Sequence, residues 1–437
     1  MGFGTFKGGV HPYDGKDISK GTPIQRILPK GDMVYPLVQH IGAPAKPLVN
    51  VGDSVFVGQK IGETGGFISS NIICSVSGKV KAIEERIVVN GNKVQSIVVE
   101  NDNEYRVIDG FGMDNDYNAF SKEQIRECIK EAGIVGMGGA GFPTHVKLTP
   151  KNEDEIDYIL INGAECEPYL TSDYRCMLEH TDELIGGIKV ILKLFPKAKA
   201  VIGVEVNKMD AIEVLNKAVA NEPDISVKPL KVKYPQGAER QLIYAITGRK
   251  LNSSKLPADM GCIVNNIDTV ISIYMAVCKN VPLIRRIITV TGNAIANPCN
   301  LEVPIGMNYV ELIEAAGGFK TEPQKIISGG PMMGTALYTL DVPVTKTSST
   351  LLCFTEDEVA MYEPTACIRC GRCVEVCPSR LIPQKMLEYS DRFDDEGFKA
   401  VDGMECYECG TCTYVCPAKR RLTQSFKQTR RSILAKR

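Results

Sequence analysis

The chain has 437 residues, 44% hydrophobic and 24% charged, with 51 Lys plus Arg against 52 Asp plus Glu. A net charge of -1 gives no electrostatic basis for binding nucleic acid, and the length alone suggests about three domains. Of the 16 cysteines, eight fall in two runs near the end and the rest are scattered, which fits free thiols of a reducing compartment rather than a disulfide framework.

Residues 1–115 alternate short β-rich runs with Gly and Pro, as in Val49 to Val55 and Ser77 to Val80. Asn90-Gly91, between Ile87-Val88-Val89 and Val94 to Val99, signals a type I′ hairpin. The run VGDSVFVGQKIGE followed by CSVSGKVKAIE resembles the lipoyl-carrier type of flattened β-barrel, a barrel-sandwich fold. A carrier needs a Lys at its hairpin tip, and Glu63 to Ile72 contains none, so a scaffold is preferred to a lipoyl or biotin carrier. His11 and His40 lack a ligand-spaced partner and read as packed or exposed side chains. No charged-then-apolar leader opens the sequence.

Residues 116–282 read as a Rossmann-like α/β domain. Ser121 to Gln124 forms a capping box, and Ala132-Gly133 ends the helix that follows. Next comes Gly136-Met137-Gly138-Gly139-Ala140-Gly141-Phe142-Pro143-Thr144-His145-Val146-Lys147. Its glycines allow close backbone approach to a flat or phosphorylated ligand and can form an anion nest; a plain turn is the alternative. Strands are expected at Ile156 to Asn162, Val201 to Val206 and Ile225 to Val232, with helices at Thr181 to Phe195 and Met209 to Ala220, a βαβ pattern. Ligands of such sheets sit beyond the strands' carboxyl ends. Three loops qualify: Asn162 to Pro168, Tyr234 to Glu239 and Val264 to Thr269. Helix caps or turns are the plainer role for any one residue there. The apolar stretch Cys262 to Ile284 contains Asn265, Asn266, Asp268 and Lys279, which a bilayer-spanning helix would carry only at high cost. The expectation is a soluble, cytoplasmic chain with peripheral membrane contact only.

The set GMGGAGFPTHVK, INGAECEP, YPQGAE and VNNIDT resembles, in order and spacing, the flavin-bearing NADH-oxidising subunit of respiratory complex I. The resemblance implies that Gly136, Gly138, Gly139, Gly141 and Lys147 cradle FMN, with Asn162, Glu165, Tyr234, Gly237, Asn265 and Asn266 completing the pocket. It places Glu167 and Glu239 near the nicotinamide and ribose of NADH and Phe142 near its adenine end. Met137 stands where that family usually has Arg, Ala164 replaces an Asp and Tyr169 replaces a Gly.

Residues 283–350, with strand signals at Arg286 to Gly292 and a helix from Asn308 to Ala316, resemble the soluble-ligand-binding β-grasp (SLBB) module. A spacer role is favoured over small-molecule binding. Gly329 to Gly334 is a tight turn whose methionines are read as packing.

Residues 351–437 hold Cys367, Cys370, Cys373 and Cys377-Pro378, then Cys406, Cys409, Cys412 and Cys416-Pro417, two C-x2-C-x2-C-x3-C-P runs. In this spacing three thiolates of a run grip one [4Fe-4S] cubane and the fourth ligates the other. Cys367, Cys370, Cys373 and Cys416 are therefore one expected set, and Cys406, Cys409, Cys412 and Cys377 the second. Paired zinc sites are the alternative; the third Cys and the Cys-Pro stop, both present twice, favour iron and sulfur. A helix is expected at Gln384 to Phe393. After Pro417 eight of 20 residues are Lys or Arg, and Leu422, Phe426, Thr429 and Ile433 share a helical face. That helix could lie on an anionic membrane, be solvated, or dock an acidic partner.

Over its whole length, from GGVHP and LVQHIGAPA to the double Cys motif, the sequence is similar to the RnfC subunits of Rnf ferredoxin:NAD oxidoreductase complexes. The resemblance implies a peripheral subunit on the cytoplasmic face of the membrane, partnered by an iron-sulfur subunit, by integral-membrane subunits and indirectly by ferredoxin. NAD(H) would be its substrate, and Na+ or H+ transport would be coupled elsewhere. NADH delivers electrons as a pair and a cluster accepts one, so a flavin must stand between them, and no side chain need act as acid or base in the hydride step. A cobalamin reductase of diol-degrading microcompartments shares the module order, and a relay that has lost its flavin is the non-enzymatic alternative.

Overall fold

The structure, a computed structural model, describes residues 3–436. Near the N-terminus two small antiparallel sheets face each other. One has the order Met33–Pro36, Lys93–Asn101, Gly78–Ile87, Ser54–Val55; the other is Lys46–Pro47, Lys60–Glu63, Ile72–Ile73. The hairpin joining the two long strands departs from the type I′ expectation. Gly91 N donates to Val88 O at 2.8 Å, Asn90 keeps negative φ, and Gly91 alone is left-handed at φ 82°. This is a turn closed by a glycine bulge, which a three-residue loop prefers. The tip where a carrier would hold its lysine is tied down, since Ser70 Oγ donates to Gly133 O at 3.0 Å and Asn71 Nδ2 to Lys130 O at 3.2 Å.

The second sheet is wholly parallel, in the order Ile225–Leu230, Lys199–Glu205, Tyr158–Gly163, Cys262–Asn266. Neighbouring residues of its central strand face opposite ways. Ile159 and Ile161 enter the core under helices Thr181–Leu194 and Ile267–Lys279, while Leu160 enters the core shared with helix Glu239–Thr247. A parallel sheet buried on both faces needs such unbroken apolar runs. The two helices cross so closely that a Cβ on Gly187 would collide with the Val270 carbonyl. Ser121 makes the expected capping box with Gln124.

The third sheet crosses two of the expected divisions. Its order is Ile24–Arg26, Cys299–Pro304, Arg285–Thr291, Thr350–Phe354, Lys325–Ser328, Thr335–Ala336. Ile24–Arg26 comes from the segment assigned to 1–115, and Thr350–Phe354 runs past 350 as an interior strand. The barrel and this β-grasp sheet also share one core, in which Met33, Tyr35 and Ile97 join Ile288, Val290 and Leu301. Neither unit is large enough to bury its inner face alone, so the apolar faces merge. Lys346 marks the point where three units meet. Its buried Nζ donates to Gly133 O at 2.7 Å, to Ser70 Oγ at 3.0 Å and to Asn71 O. Burial pulls its pKa down to about 7.

The C-terminal unit is a repeat. Each Cys run bends through a left-handed residue pair, Arg369 and Gly371 or Glu408 and Gly410, into a one-turn helix, Arg372–Glu375 or Thr411–Tyr414. Longer helices follow each run, Pro383–Asp391 and Leu422–Ala435. The last of these narrows the reading of the tail. Leu422, Phe426 and Ile433 are buried against Leu381, Met386, Leu387 and Phe398, so the apolar face closes this unit's own core. It is not open to lipid or to a partner, and three basic residues of the tail are paired internally: Arg420 with Asp391, Arg430 with Glu408 and Lys436 with Asp395. Phe426→Ala is expected to cost about 3–5 kcal/mol, read as a lowered melting temperature and faster iron loss. Replacing exposed Arg421 and Arg431 by Gln should leave both readings near the parent values.

Candidate functional site

Every loop singled out lies at the carboxyl edge of the parallel sheet. The order of strands reverses there: the chain moves from Tyr158–Gly163 to one side and returns to the other with Cys262–Asn266, leaving a crevice at the switch point. The glycine loop packs on its rim. Gly136 N donates to Phe142 O at 2.9 Å, Met137 N donates to Thr269 Oγ1 at 3.0 Å, and a Cβ on Gly138 would stand 3.0 Å from the Asn266 side chain. Gly138, Gly139 and Ala140 are exposed, and nothing lies within 4 Å of where a Gly139 Cβ would be, so this backbone is open to a ligand. Gly141, at φ 73°, turns the chain against the backbone of Gln39 and His40. Lys147 Nζ donates to Val264 O at 2.8 Å; burial pulls its pKa down, opposed by Glu239.

The opposite wall is the loop after Gly163, and buried cations hold it. Lys208 Nζ donates to Ala164 O at 2.8 Å, while Lys16 Nζ donates to Glu167 O at 3.0 Å and stands 3.7 Å from Glu165 Oε2. Glu165 Oε1 accepts from Asp173 N at 2.7 Å. Glu167 is engaged differently from the expectation of a nicotinamide contact, because its oxygens accept from Met332 N and Met333 N of the β-grasp turn, at 3.2 and 2.9 Å. Burial pushes its pKa up to about 7. The turn read as packing therefore reaches the site. Asn266 caps helix Ile267–Lys279 through its Oδ1 and donates to Asp173 Oδ2 at 2.6 Å. Asn162 Nδ2 donates to Gly237 O at 2.8 Å, and Glu239 is exposed at the first turn of helix Glu239–Thr247.

Three side chains in this edge have buried polar atoms without a hydrogen-bond partner: Asn265 (both amide atoms), Gln236 (both amide atoms) and Glu165 (Oε2, which has only the Lys16 ammonium at 3.7 Å). An unpaired buried polar group costs roughly 1–3 kcal/mol, so these positions suit a polar, planar ligand offering both donors and acceptors. The donor set, the open glycine backbone and the buried cations fit a flavin mononucleotide. Gln236, Lys16, Lys208 and Asp173 were not singled out from the sequence. Gln236 lies inside the quoted YPQGAE stretch, whereas Lys16 is 151 positions from the carbonyl it binds and left no local signal.

The eight motif cysteines form two quartets with exchanged fourth members. Cys367, Cys370, Cys373 and Cys416 line one cavity of about 170 Å³. Cys406, Cys409 and Cys412 lie close enough to Cys377 for that thiol to raise the pKa of each, with burial the larger cause. Backbone amides point at several sulfurs: Arg369 N to Cys367 and Glu408 N to Cys406, both at 3.4 Å, and Leu381 N to Cys377 at 3.3 Å. Four thiols around a space, each run equipped with amide donors, fit a cubane better than a single ion. Cys367 and Cys370 are exposed while Cys409 and Cys412 are buried. The more buried quartet sits against the edge that carries Tyr234, whose Oη donates to Cys409 O at 2.7 Å.

Four family models match in sequence order: the RnfC barrel sandwich hybrid domain over residues 4–104, the Nuo51 FMN-binding domain over 129–275, the SLBB domain over 287–336 and the 4Fe-4S dicluster domain over 366–419. The chain is 45% identical over 437 residues to the RnfC subunit of the Na(+)-translocating ferredoxin:NAD(+) oxidoreductase complex of Acetobacterium woodii, covering 99% of this chain and 98% of that protein. To the corresponding subunit of the proton-translocating ferredoxin:NAD(+) oxidoreductase complex of Clostridium ljungdahlii it is 46% identical over 383 residues, 87% of this chain and 83% of the relative. The crystal structure of an NAD+-reducing [NiFe]-hydrogenase in the H2-reduced state shares the fold, with TM-score 0.50 and 16% identity over 72% of this chain and 61% of that one. The protein is thus an FMN and 4Fe-4S dicluster protein of four units: barrel sandwich, Rossmann-like, β-grasp and ferredoxin-like. It belongs to the RnfC family of the ion-translocating ferredoxin:NAD+ oxidoreductase complexes.

Two outcomes follow from this geometry. Lys147→Ala, Glu165→Ala and Lys16→Met should each lower flavin retention after gel filtration while iron stays at about eight atoms per chain; joint loss of iron would contradict separate sites. Burial, then the Glu165 and Asp268 carboxylates, push the Asp173 pKa up to about 8, against about 3.9 in an unfolded chain. Its stabilising contribution is complete below about pH 4 and is lost as pH rises through 8. Asp173→Asn should therefore gain melting temperature relative to the parent as pH is raised from 6 to 9, measured by calorimetry.

Proposed function

We propose that this chain is the nicotinamide-reactive subunit of an Rnf complex, passing electrons between NAD(H) and partner subunits, and through them ferredoxin. Bound FMN would supply the exchange between the two electrons of one hydride and single electrons, and two [4Fe-4S] clusters held by the Cys quartets would supply one-electron carriers beyond it. The chain's own residues position, pair charge and exclude water. Gly136 to Gly141 and Lys147 would hold the flavin phosphate and ring edge, with Gln236, Asn265 and Glu165 satisfying the ring's polar atoms. Lys16 and Lys208 hold the Glu165 loop closed beneath it. No helix among the described residues is long and apolar enough to cross a membrane, so ion transport is assigned to other subunits, and this chain to a peripheral seat at the cytoplasmic face.

The observation that carries the reading is the contact of Tyr234 with Cys409, which sets one Cys quartet against the flavin edge while the other opens at the surface. This orders them as inner and outer, with the outer quartet facing the partner subunits. Full-length similarity to RnfC of Acetobacterium woodii favours this reading over a cobalamin reductase or a flavin-less relay.

A double Cys367→Ala, Cys370→Ala variant tests the order. With about four irons retained, NADH should still bleach the flavin anaerobically, and NADH:ferricyanide activity should persist. Ferredoxin:NAD+ activity of the assembled complex should fall at least 100-fold. Undiminished complex activity would refute an exit through the outer quartet, and a purified parent chain without FMN or NADH bleaching would refute the enzyme reading.

A further inference from the structure

A second cavity, of about 490 Å³, opens where the N-terminal arm, the flavin unit and the cluster unit meet, and none of the residues assigned to the flavin crevice lines it. Helix Glu239–Thr247 contributes Arg240 and Tyr244, the loop beyond it Lys250 and Leu251, and the arm Phe6 and Lys7. The stretch Pro378 to Leu381, directly after Cys377, closes the far wall. Phe6 and Leu381 are 4% and 7% exposed and form an apolar floor, whereas Lys7, Lys250 and Arg380 are exposed at the rim.

Charge in this cavity is unbalanced. Of its two acids, Glu405 is engaged by Arg240 at 2.8 Å and by Ser253 N at 2.9 Å. Among the described residues Lys7, Lys250 and Arg380 have no carboxylate partner, and only Asp402 stands against them. Three free cations over an aromatic and aliphatic floor match a molecule with an anionic end and a flat end. The volume lies within the roughly 300–1,000 Å³ range of small-molecule sites, and guanidinium and ammonium groups together suit phosphate.

We propose that this cavity is a nucleotide site, separate from the flavin crevice. The base lies against Phe6, Tyr244 and Leu381, and the phosphates lie between Lys7, Lys250 and Arg380. Because one wall is the stretch after Cys377 and the other is the flavin unit's own helix, an occupant bridges the two units beside the inner Cys quartet.

The test is binding of ADP to the anaerobically purified chain carrying flavin and iron, by calorimetry with saturating NADH present. The expected result is one saturable site. It should weaken at least 10-fold in Lys250→Glu, Arg380→Glu with flavin and iron contents unchanged. Tyr244→Ala should weaken ADP but not inorganic pyrophosphate, which should bind the parent at least 10-fold more weakly than ADP. No saturable binding, displacement of ADP by NADH, or unchanged affinity in the charge-reversed variant would overturn the site. Equal affinity for ADP and pyrophosphate would overturn the assignment of the ring to Phe6 and Tyr244. Loss of flavin or iron in the double variant would transfer the test to Lys7→Gln, whose ADP affinity must then fall for the proposal to stand.

Discussion

The arrangement depends on one seam, the meeting of the flavin edge with the inner cysteine loop. Tyr234 is 2% exposed; its hydroxyl reaches the Cys409 carbonyl and its backbone pairs with Val10 of the N-terminal arm. A hydrogen bond of this kind contributes only about 1 kcal/mol net, so its importance is positional. The β-grasp turn strengthens the same seam, since Met332 packs with Tyr234 and Cys409 while its amide and that of Met333 hold Glu167. The β-grasp turn is therefore wedged between the Glu167 loop, Tyr234 and the Cys409 loop.

Buried charge shapes the flavin edge. Lys16, Lys208, Glu165 and Glu205 lie within one crevice wall, each 8% exposed or less, and Asp268 is paired with Arg286 deeper in. Ions taken out of water are tolerated when they are paired and fully hydrogen-bonded. The arm that carries Lys16 is accordingly part of the site, although it precedes the barrel in sequence. Glu165 Oε2 and the Asn265 and Gln236 amides are the places where this pairing is incomplete, and they coincide with the ligand crevice.

The two Cys runs begin from the same motif and end in different surroundings. One quartet is packed against Tyr234 and Tyr407, while the other has Cys367 and Cys370 at the surface. Solvent exposure and amide-sulfur bonds both move cluster potentials, so near-identical local sequences yield two inequivalent stations. The tail helix serves this unit by covering its core, which explains why a basic, amphipathic stretch leaves no apolar face to spare.

Local pattern was enough for much of this protein. The Ser121 capping box, the βαβ periodicity of the parallel sheet, the C-x2-C-x2-C-x3-C-P spacing within each run and the glycine loop all rest on neighbours within a few residues, where steric and hydrogen-bonding rules act directly. Tertiary structure decided what depends on distant partners. Strand Ile24–Arg26 joined the β-grasp sheet, Thr350–Phe354 belonged to it too, Lys16 reached the Glu165 loop, and the tail's apolar face turned inward. A periodic pattern states that a face must be buried, but not against which surface. That choice belongs to shape and charge complementarity between segments far apart in the chain, which no short stretch of sequence contains.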